Sequence, residues 1–270
     1  ALILMNAASV SMYSPIVYSQ ERIEYAVNKE QTIFSLYHNI YVEYDILNSA
    51  VKHNCKNIVF SSSAAIFGNP QKLPIDENHP KNPENYYGFT KLSIEDYLEW
   101  YSKLKGINYS ALRYFNAAGY DVDGEILGLE QNPANLIPVV METACGIRKE
   151  MSVFGDDYDT PDGTCIRDYV HVTDLADAHV KALEYIAKNN KNLKLNLGSE
   201  VGTSVKEVID IARKITGKPI YAKIEKRRPG DTAVLYTTSK RALEILGWKA
   251  QYSDMETIIK TTLNAYLKNC

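Results

Sequence analysis

An α/β protein is the fold class that the sequence predicts: a parallel sheet with helices on both faces, joined to a smaller mixed α/β region. Three observations carry this expectation. In "KNIVFSSS", Lys56 to Ser63, the β-formers Ile58, Val59 and Phe60 run into a serine-rich exit. Downstream, Ile94, Tyr97, Leu98, Tyr101 and Leu104 repeat at helical spacing, and Gly106 supplies a stop. "NYSALRYF", Asn108 to Phe115, is a further strand, and strand, loop, helix, strand in this order is a βαβ unit.

Taken in chain order, residues 1–8 read as a buried strand, and 20–54 are mostly helix-compatible with "EYDILNSAVKHN" the most regular part. The Pro-, Asn- and Gly-rich stretch 68–85 reads as a loop, with the next helix beginning near Gly88. After Asn116 the texture changes to a long, weakly patterned segment, of the kind that covers the carboxyl ends of an open sheet where ligands bind. A helix is expected over 136–148, followed by "MSVFGDDYDTPDGTCIRDYVHV" as a strand, a hairpin-like turn and a strand, and a helix over 174–188. "LKLNLGSE" is a strand. "SVKEVIDIARKITG" is a helix with Ser204 as cap, Glu207 three residues later and Gly217 as stop. One extended piece at 221–225, the segment "SKRALEILGW" and a last helix over 253–267 complete the chain.

The 270 residues are 45% apolar and 23% charged, with a net charge of -3. That length fits one large or two modest domains. The balance offers no global attraction to nucleic acid or to a membrane surface. No run approaches the apolar length of a membrane span. Cys55, Cys145, Cys165 and Cys270 stand singly, which fits neither a metal site nor a disulfide framework, so no metal and a cytoplasmic location are expected. "ALILMNAASVSMY" has no leader-like pattern and reads as an interior strand, so the opening of the sheet is expected to be missing from this chain.

"NYYGFTKLSIEDYL", Asn85 to Leu98, holds the chemistry. Tyr87 and Lys91 are four apart and share one helix face. A tyrosine is a weak base at neutral pH, but an adjacent ammonium favours its phenolate. At an effective dielectric of about 20, charges roughly 4 Å apart interact by about 4 kcal/mol before desolvation is counted. Ser63, at the strand exit, is the natural hydroxyl donor beside a substrate oxygen. Tyr86 lacks a lysine four residues on. Without more context, packing tyrosines and a proton-transfer site both remain open.

"SSSAAIFG", "YYGFTK", "LRYFNAAG", "VFGDDYDTPDGTCIRDYVHVTDLADAHVKAL" and "RRPGD", in this order, resemble the UDP-glucose (UDP-galactose) 4-epimerases of the extended short-chain dehydrogenase/reductase superfamily. The resemblance runs from about residue 38 to the C-terminus. It implies reversible interconversion of UDP-glucose and UDP-galactose through a 4-keto intermediate with bound NAD, in a homodimer. By the same resemblance Tyr87 is the base, Lys91 its partner and the holder of the nicotinamide ribose, and Ser63 the hydroxyl at the sugar 4-oxygen. Ser61 and Ser62 lie nearer the cofactor. Asn116 contacts the sugar, and Asn135 and Leu136 flank the nucleotide. Phe154 walls the uracil, Arg167 and Arg228 grip the diphosphate, and Asp231 takes the uridine ribose. Residues 1–115 are then the remainder of an NAD-binding, incomplete Rossmann-like domain, to which about 165–215 return, and 116–270 are mainly the UDP-sugar-binding region.

Ala64 and Ala65 stand where related dehydratases place an acidic pair, which argues against elimination of water. No G-x-G-x-x-G or related glycine turn follows a strand, Phe67 occupies a common tyrosine place, and Leu235 falls where relatives differ in bulk at the sugar. A catalytically silent or truncated UDP-sugar-binding protein, or another NAD-dependent nucleotide-sugar epimerase, is the alternative.

Overall fold

The computed structural model describes residues 2–5, 43–228 and 230–269, and the expectations for 6–42 lie outside them. The described residues divide into two compact units. One comprises 2–5, 43–69, 80–113 and 181–195; the other comprises 70–79, 114–180 and the chain from 196 onward.

In the first unit the sheet is ordered β1-β2-β3-β7, where β1 is Leu2–Met5, β2 Asn57–Ser63, β3 Asn108–Tyr114 and β7 Leu193–Leu197. β1 and β2 are parallel, with Leu2 opposite Asn57 and Met5 opposite Phe60. Helix α1 occupies residues 43–52, and α2 is Tyr86–Lys105. Asn85 caps α2 by accepting from the Gly88 N–H at 2.8 Å. Gly106 closes it in the left-handed region at φ 67°, its N–H returning to the Ser102 carbonyl. The helix therefore starts two residues before Gly88, because the cap fixes the start and glycine is tolerated in the first turn. Glycine is required there for another reason: a Cβ on Gly88 would meet the Ala65 carbonyl oxygen at 2.3 Å. The first turn of α2 thus rests directly on the short 3-10 turn Ala64–Phe67 that follows β2.

The core of this unit joins Leu47 and Ala50 of α1, Ile58 and Phe60 of β2, Ile94 and Leu98 of α2, and Tyr109 and Ala111 of β3. The expected stripe on α2 needs correction. Ile94 and Leu98 are fully buried and Tyr101 packs at the core edge, but Tyr97 is exposed and Leu104 is 69% exposed. The inward face runs instead through Gly88, Lys91, Ile94, Glu95 and Leu98, so two charged residues occupy places that apolar periodicity alone assigns to the outside.

In the second unit β6 (Ile166–His171) pairs with β10 (Val234–Leu235) and β4 (Asn116–Ala118) in parallel and with β8 (Gly202–Ser204) antiparallel. β5 (Met151–Phe154) pairs in parallel with β9 (Ala222–Glu225). β5 and β6 are consequently not the two arms of a hairpin, since each finds its partner far along the chain. α3 (Leu136–Ala144), α5 (Val205–Thr216) and α7 (Met255–Asn269) contribute Ile137, Val140, Met141, Val208, Ile209, Ala212, Ile258 and Ile259 to one core. The Ser204–Glu207 capping box on α5 forms as expected. α4 (Val172–Asn189) and α6 (Lys240–Leu246) complete the helices, and Asp174 in the first turn of α4 accepts from the Gln251 and Tyr252 N–H groups and the Ser253 hydroxyl.

The Pro-rich stretch contains an ordered strand-like contact: Ile75 N–H donates to the Tyr236 carbonyl and Thr238 N–H to the Ile75 carbonyl. Backbone groups of an irregular segment still need partners, and here β10 and its extension supply them.

Leu98→Ala is expected to lower unfolding stability by about 2–5 kcal/mol through lost burial and a cavity. Ile126→Ala, at a side chain 75% exposed, should stay within about 0.5 kcal/mol. Denaturant unfolding of the two variants measures both.

Candidate active site

Strand β2 and helix α2 bring the predicted catalytic residues of the first unit together. Lys91 is only 1% exposed, whereas Tyr87, one turn earlier, is 37% exposed. The Lys91 ammonium donates to the Ser61 carbonyl at 2.7 Å and lies 5.6 Å from the centre of the Tyr87 ring and 5.0 Å from that of Phe60. One of its three protons is thus spent on the strand, and the charge is held beside the aromatic ring that the sequence pairs it with. Ser63 is half-buried and caps the 3-10 turn, its Oγ accepting from the Ala65 N–H at 3.2 Å. A hydroxyl that accepts in this way keeps its own proton to donate.

Burial pulls the Lys91 ammonium down to about 8, opposed in part by the Glu43 carboxylate. Glu43, on α1, is 4% exposed; burial pushes it up to about 7, and Lys91 opposes that rise. Its Oε2 has no hydrogen-bond partner among the described residues. The pair therefore holds two titrations close to neutrality, one from each side.

Ser62 faces inward, 1% exposed, and its hydroxyl donates to Glu95 Oε1 at 2.6 Å. Arg113 of β3 completes a fork on the same carboxylate, Nε to Oε1 at 2.8 Å and NH2 to Oε2 at 2.6 Å. Burial pushes the Glu95 carboxyl up, but Arg113 and Ser62 outweigh it and hold it below the ordinary value. With its hydroxyl engaged, Ser62 offers only its backbone to a cofactor. The sequence reading missed Glu43, Glu95 and Arg113. An arginine inside the apolar strand "SALRYF" and a glutamate four residues after Lys91 were the available signals, because a buried charge needs a partner. Glu43 gave none.

The second unit gathers a different set. Asp231 links two guanidiniums: Arg228 Nε donates to its Oδ2 at 2.9 Å, and Arg167 NH2 lies 3.9 Å from its Oδ1. Register places Leu235 opposite Arg167 across β10 and β6, and Arg167 also donates to the Ile166 carbonyl at 2.9 Å. The Arg228 guanidinium sits 4.8 Å from the centre of the Phe154 ring, which is exposed at the end of β5. A carboxylate that tethers two arginines beside an aromatic face leaves donors for oxyanions and a surface for a flat ring. Arg227, which the sequence reading passed over, stacks 4.1 Å from the Tyr158 ring and donates to Asp157. Asn116 donates to the Asp168 carbonyl at 2.8 Å. Asn135 is exposed at the start of α3 without a side-chain capping bond, and Leu136 follows it, half-buried. No hydrogen bond or ion pair among the described residues links these last three to the Arg167–Asp231–Arg228 group.

No group of His, Cys, Asp and Glu suited to a metal ion occurs among the described residues. No helix among them is long and apolar enough to cross a membrane.

A parallel Rossmann-like sheet whose serine-bearing strand exit faces a Tyr-x-x-x-Lys helix defines the class of the short-chain dehydrogenase/reductases. More narrowly, the chain belongs to the NAD dependent epimerase/dehydratase family, whose profile matches residues 16–198. It is 46% identical over 227 residues to the UDP-glucose 4-epimerase of Halalkalibacterium halodurans, covering 84% of this chain and 68% of that protein. It is 47% identical over 205 residues to that of Streptococcus mutans, covering 76% and 61%. Among solved structures, UDP-glucose 4-epimerase from Brucella ovis in complex with NAD superposes with a TM-score of 0.82 at 44% identity, covering 84% of this chain and 70% of that one. The Bifidobacterium longum enzyme in complex with NAD+ and UDP gives 0.83 at 40%, covering 88% and 72%. The expected family and fold class are thereby borne out.

The two titrations carry a sign that can be checked. Because Glu43 raises the Lys91 value, Glu43→Gln is expected to move the Lys91 midpoint further below about 8, as read by side-chain nitrogen NMR. An upward shift contradicts the coupling.

Proposed function

We propose that the protein interconverts UDP-glucose and UDP-galactose by oxidation and re-reduction at sugar C4. The observation that carries this reading is a fully buried lysine fixed to the β2 exit beneath an exposed tyrosine on the same helix face. Tyr87 takes the proton of the sugar 4-hydroxyl and returns it at the end of the cycle. Lys91 holds positive charge beside the phenol, which favours the phenolate that this role demands. Ser63 donates its hydroxyl proton to the 4-oxygen and orients it. Arg167 and Arg228 take the diphosphate, Asp231 a ribose hydroxyl and Phe154 the flat face of uracil, while Asn116 contacts the sugar and Asn135 and Leu136 flank the nucleotide.

The donor set fits a nicotinamide dinucleotide at its reactive end, since the Lys91 ammonium retains protons for ribose hydroxyls after bonding Ser61. A bound NAD would supply the acceptor and donor of the C4 hydride, so that no net reductant would be consumed. Strand-end backbone at Ser61 and Ser62 would hold the cofactor beside Lys91 in this reading. Ala64 and Ala65 leave no acid at this turn for elimination, which favours epimerisation over dehydration.

A homodimer and a cytoplasmic location belong to the same reading. Phe89, Tyr97, Trp100 and Leu104 form an exposed apolar stripe on α2, and a paired helix from a second copy is the occupant that the reading assigns to it.

Tyr87→Phe is expected to lower kcat by about a thousand-fold while leaving UDP affinity within about two-fold. Arg228→Ala should weaken UDP binding by about ten-fold or more, as measured by calorimetry. NAD released from the denatured protein, together with conversion of UDP-galactose, supports the whole reading. Retained UDP binding without either indicates a silent UDP-sugar-binding protein.

A further inference from the structure

Glu95 has no place in the chemistry described so far, yet it is the most deeply committed charge in the first unit. It is 0% exposed and its two oxygens accept three short bonds, from Ser62 of β2 and from both arms of the Arg113 fork on β3. Arg113 is itself 1% exposed and its guanidinium lies 5.5 Å from the centre of the Phe67 ring, in the turn that follows Ser63. An ion pair buried this deeply costs desolvation that its mutual attraction does no more than offset, so stability alone is a poor reason for it. What it does supply is registry.

The geometry sets out that registry directly. Lys91 and Glu95 are one turn apart on α2, and they bond two consecutive residues of β2: Lys91 the Ser61 carbonyl, Glu95 the Ser62 hydroxyl. A slide or roll of α2 by a fraction of a turn breaks both at once. Ser63 is the next residue of the same strand, and Tyr87 is one turn before Lys91. The distance between phenol and serine hydroxyl is therefore set by how α2 lies on the β2 exit, and Glu95 is the part of that contact that does no chemistry.

We propose that Glu95, held by Arg113 and Ser62, is a positioning residue that locks α2 to the end of β2 and keeps Lys91 dry and aligned beneath Tyr87. The inference rests on the reading of Tyr87 and Lys91 as the acid–base pair. Glu95 acts through position and not through charge: the lowering of Lys91 comes from its burial and is opposed by Glu43 on α1, and the Glu95–Arg113 pair is neutral as a unit. Among the described residues, Glu43 of α1 acts on the Lys91 charge and Tyr87 lies beside it on α2, while Glu95, one turn further on, is paired with Arg113 of β3.

Two variants of the full chain separate positioning from simple stabilisation. Glu95→Met/Arg113→Met removes both charges at similar volume, a change that folded proteins often accept. Ser62→Ala removes only one hydroxyl. In both, once circular dichroism shows a folded protein, the Lys91 midpoint seen by side-chain nitrogen NMR should rise from about 8 by about one unit as water reaches the ammonium. In both, kcat should fall by about ten-fold or more with KM unchanged, because misplacement affects the transition state most. A folded double variant whose Lys91 midpoint and kcat both match the unmodified protein overturns the proposal; if the double variant does not fold, Ser62→Ala decides by the same two readings. The NMR measurement needs no turnover. An unmodified protein that fails to epimerise but shows the Lys91 shift in the variants sinks the functional reading and leaves the positioning role standing.

Discussion

One ammonium group, that of Lys91, governs the first unit. Placing it at the junction of β2 and α2 is costly, because the charge leaves water with one carbonyl, two aromatic faces and a partly protonated carboxyl for company. Several features of the fold are consequences of that placement. Gly88 lets the first turn of α2 sit on the Ala65 carbonyl, Asn85 sets where the helix begins, and the Ser62–Glu95–Arg113 group fixes its rotation. Burial lowers the Lys91 value because it disfavours the charged form, and the Glu43 carboxylate opposes that lowering.

The second unit, to which the proposed reading assigns the nucleotide, holds its charges differently. Arg167 and Arg228 are held by the Asp231 carboxylate, and Arg228 also by the Phe154 ring, so both are oriented in advance of a ligand. Cations left loose would lose more side-chain entropy on binding. Lys91, Glu95 and Arg113 of the first unit are buried, whereas Arg228 of the second stays near water.

Much of this was legible in the sequence, and the limits have physical causes. β2, β3 and the capping box of α5 were readable because local signals decide them: Ile58, Val59 and Phe60 in β2, a short run with tyrosines near both ends in β3, and a serine followed by glutamate at the cap. The inward face of α2 was misread because apolar spacing cannot reveal that Lys91 and Glu95 point inward while Tyr97 and Leu104 point out. The pairing of β5 with β9, and the bond of Ile75 to the β10 segment, join residues about seventy and one hundred and sixty apart, beyond any local pattern. At the site, Tyr87, Lys91 and Ser63 were found by spacing and resemblance together, and the structure brings them to one strand exit. The partners that hold them, Glu95 and Arg113, were not found, since a buried ion pair looks like two surface residues until the fold unites them.

The most direct measurement follows the hydrogen on sugar C4. UDP-galactose deuterated at that carbon, incubated with the protein in ordinary water, should give UDP-glucose that keeps its deuterium at C4, because the hydride leaves and returns without meeting solvent. Loss of the label to water, or inversion with solvent hydrogen at C4, would contradict a hydride cycle driven by the Tyr87–Lys91 pair.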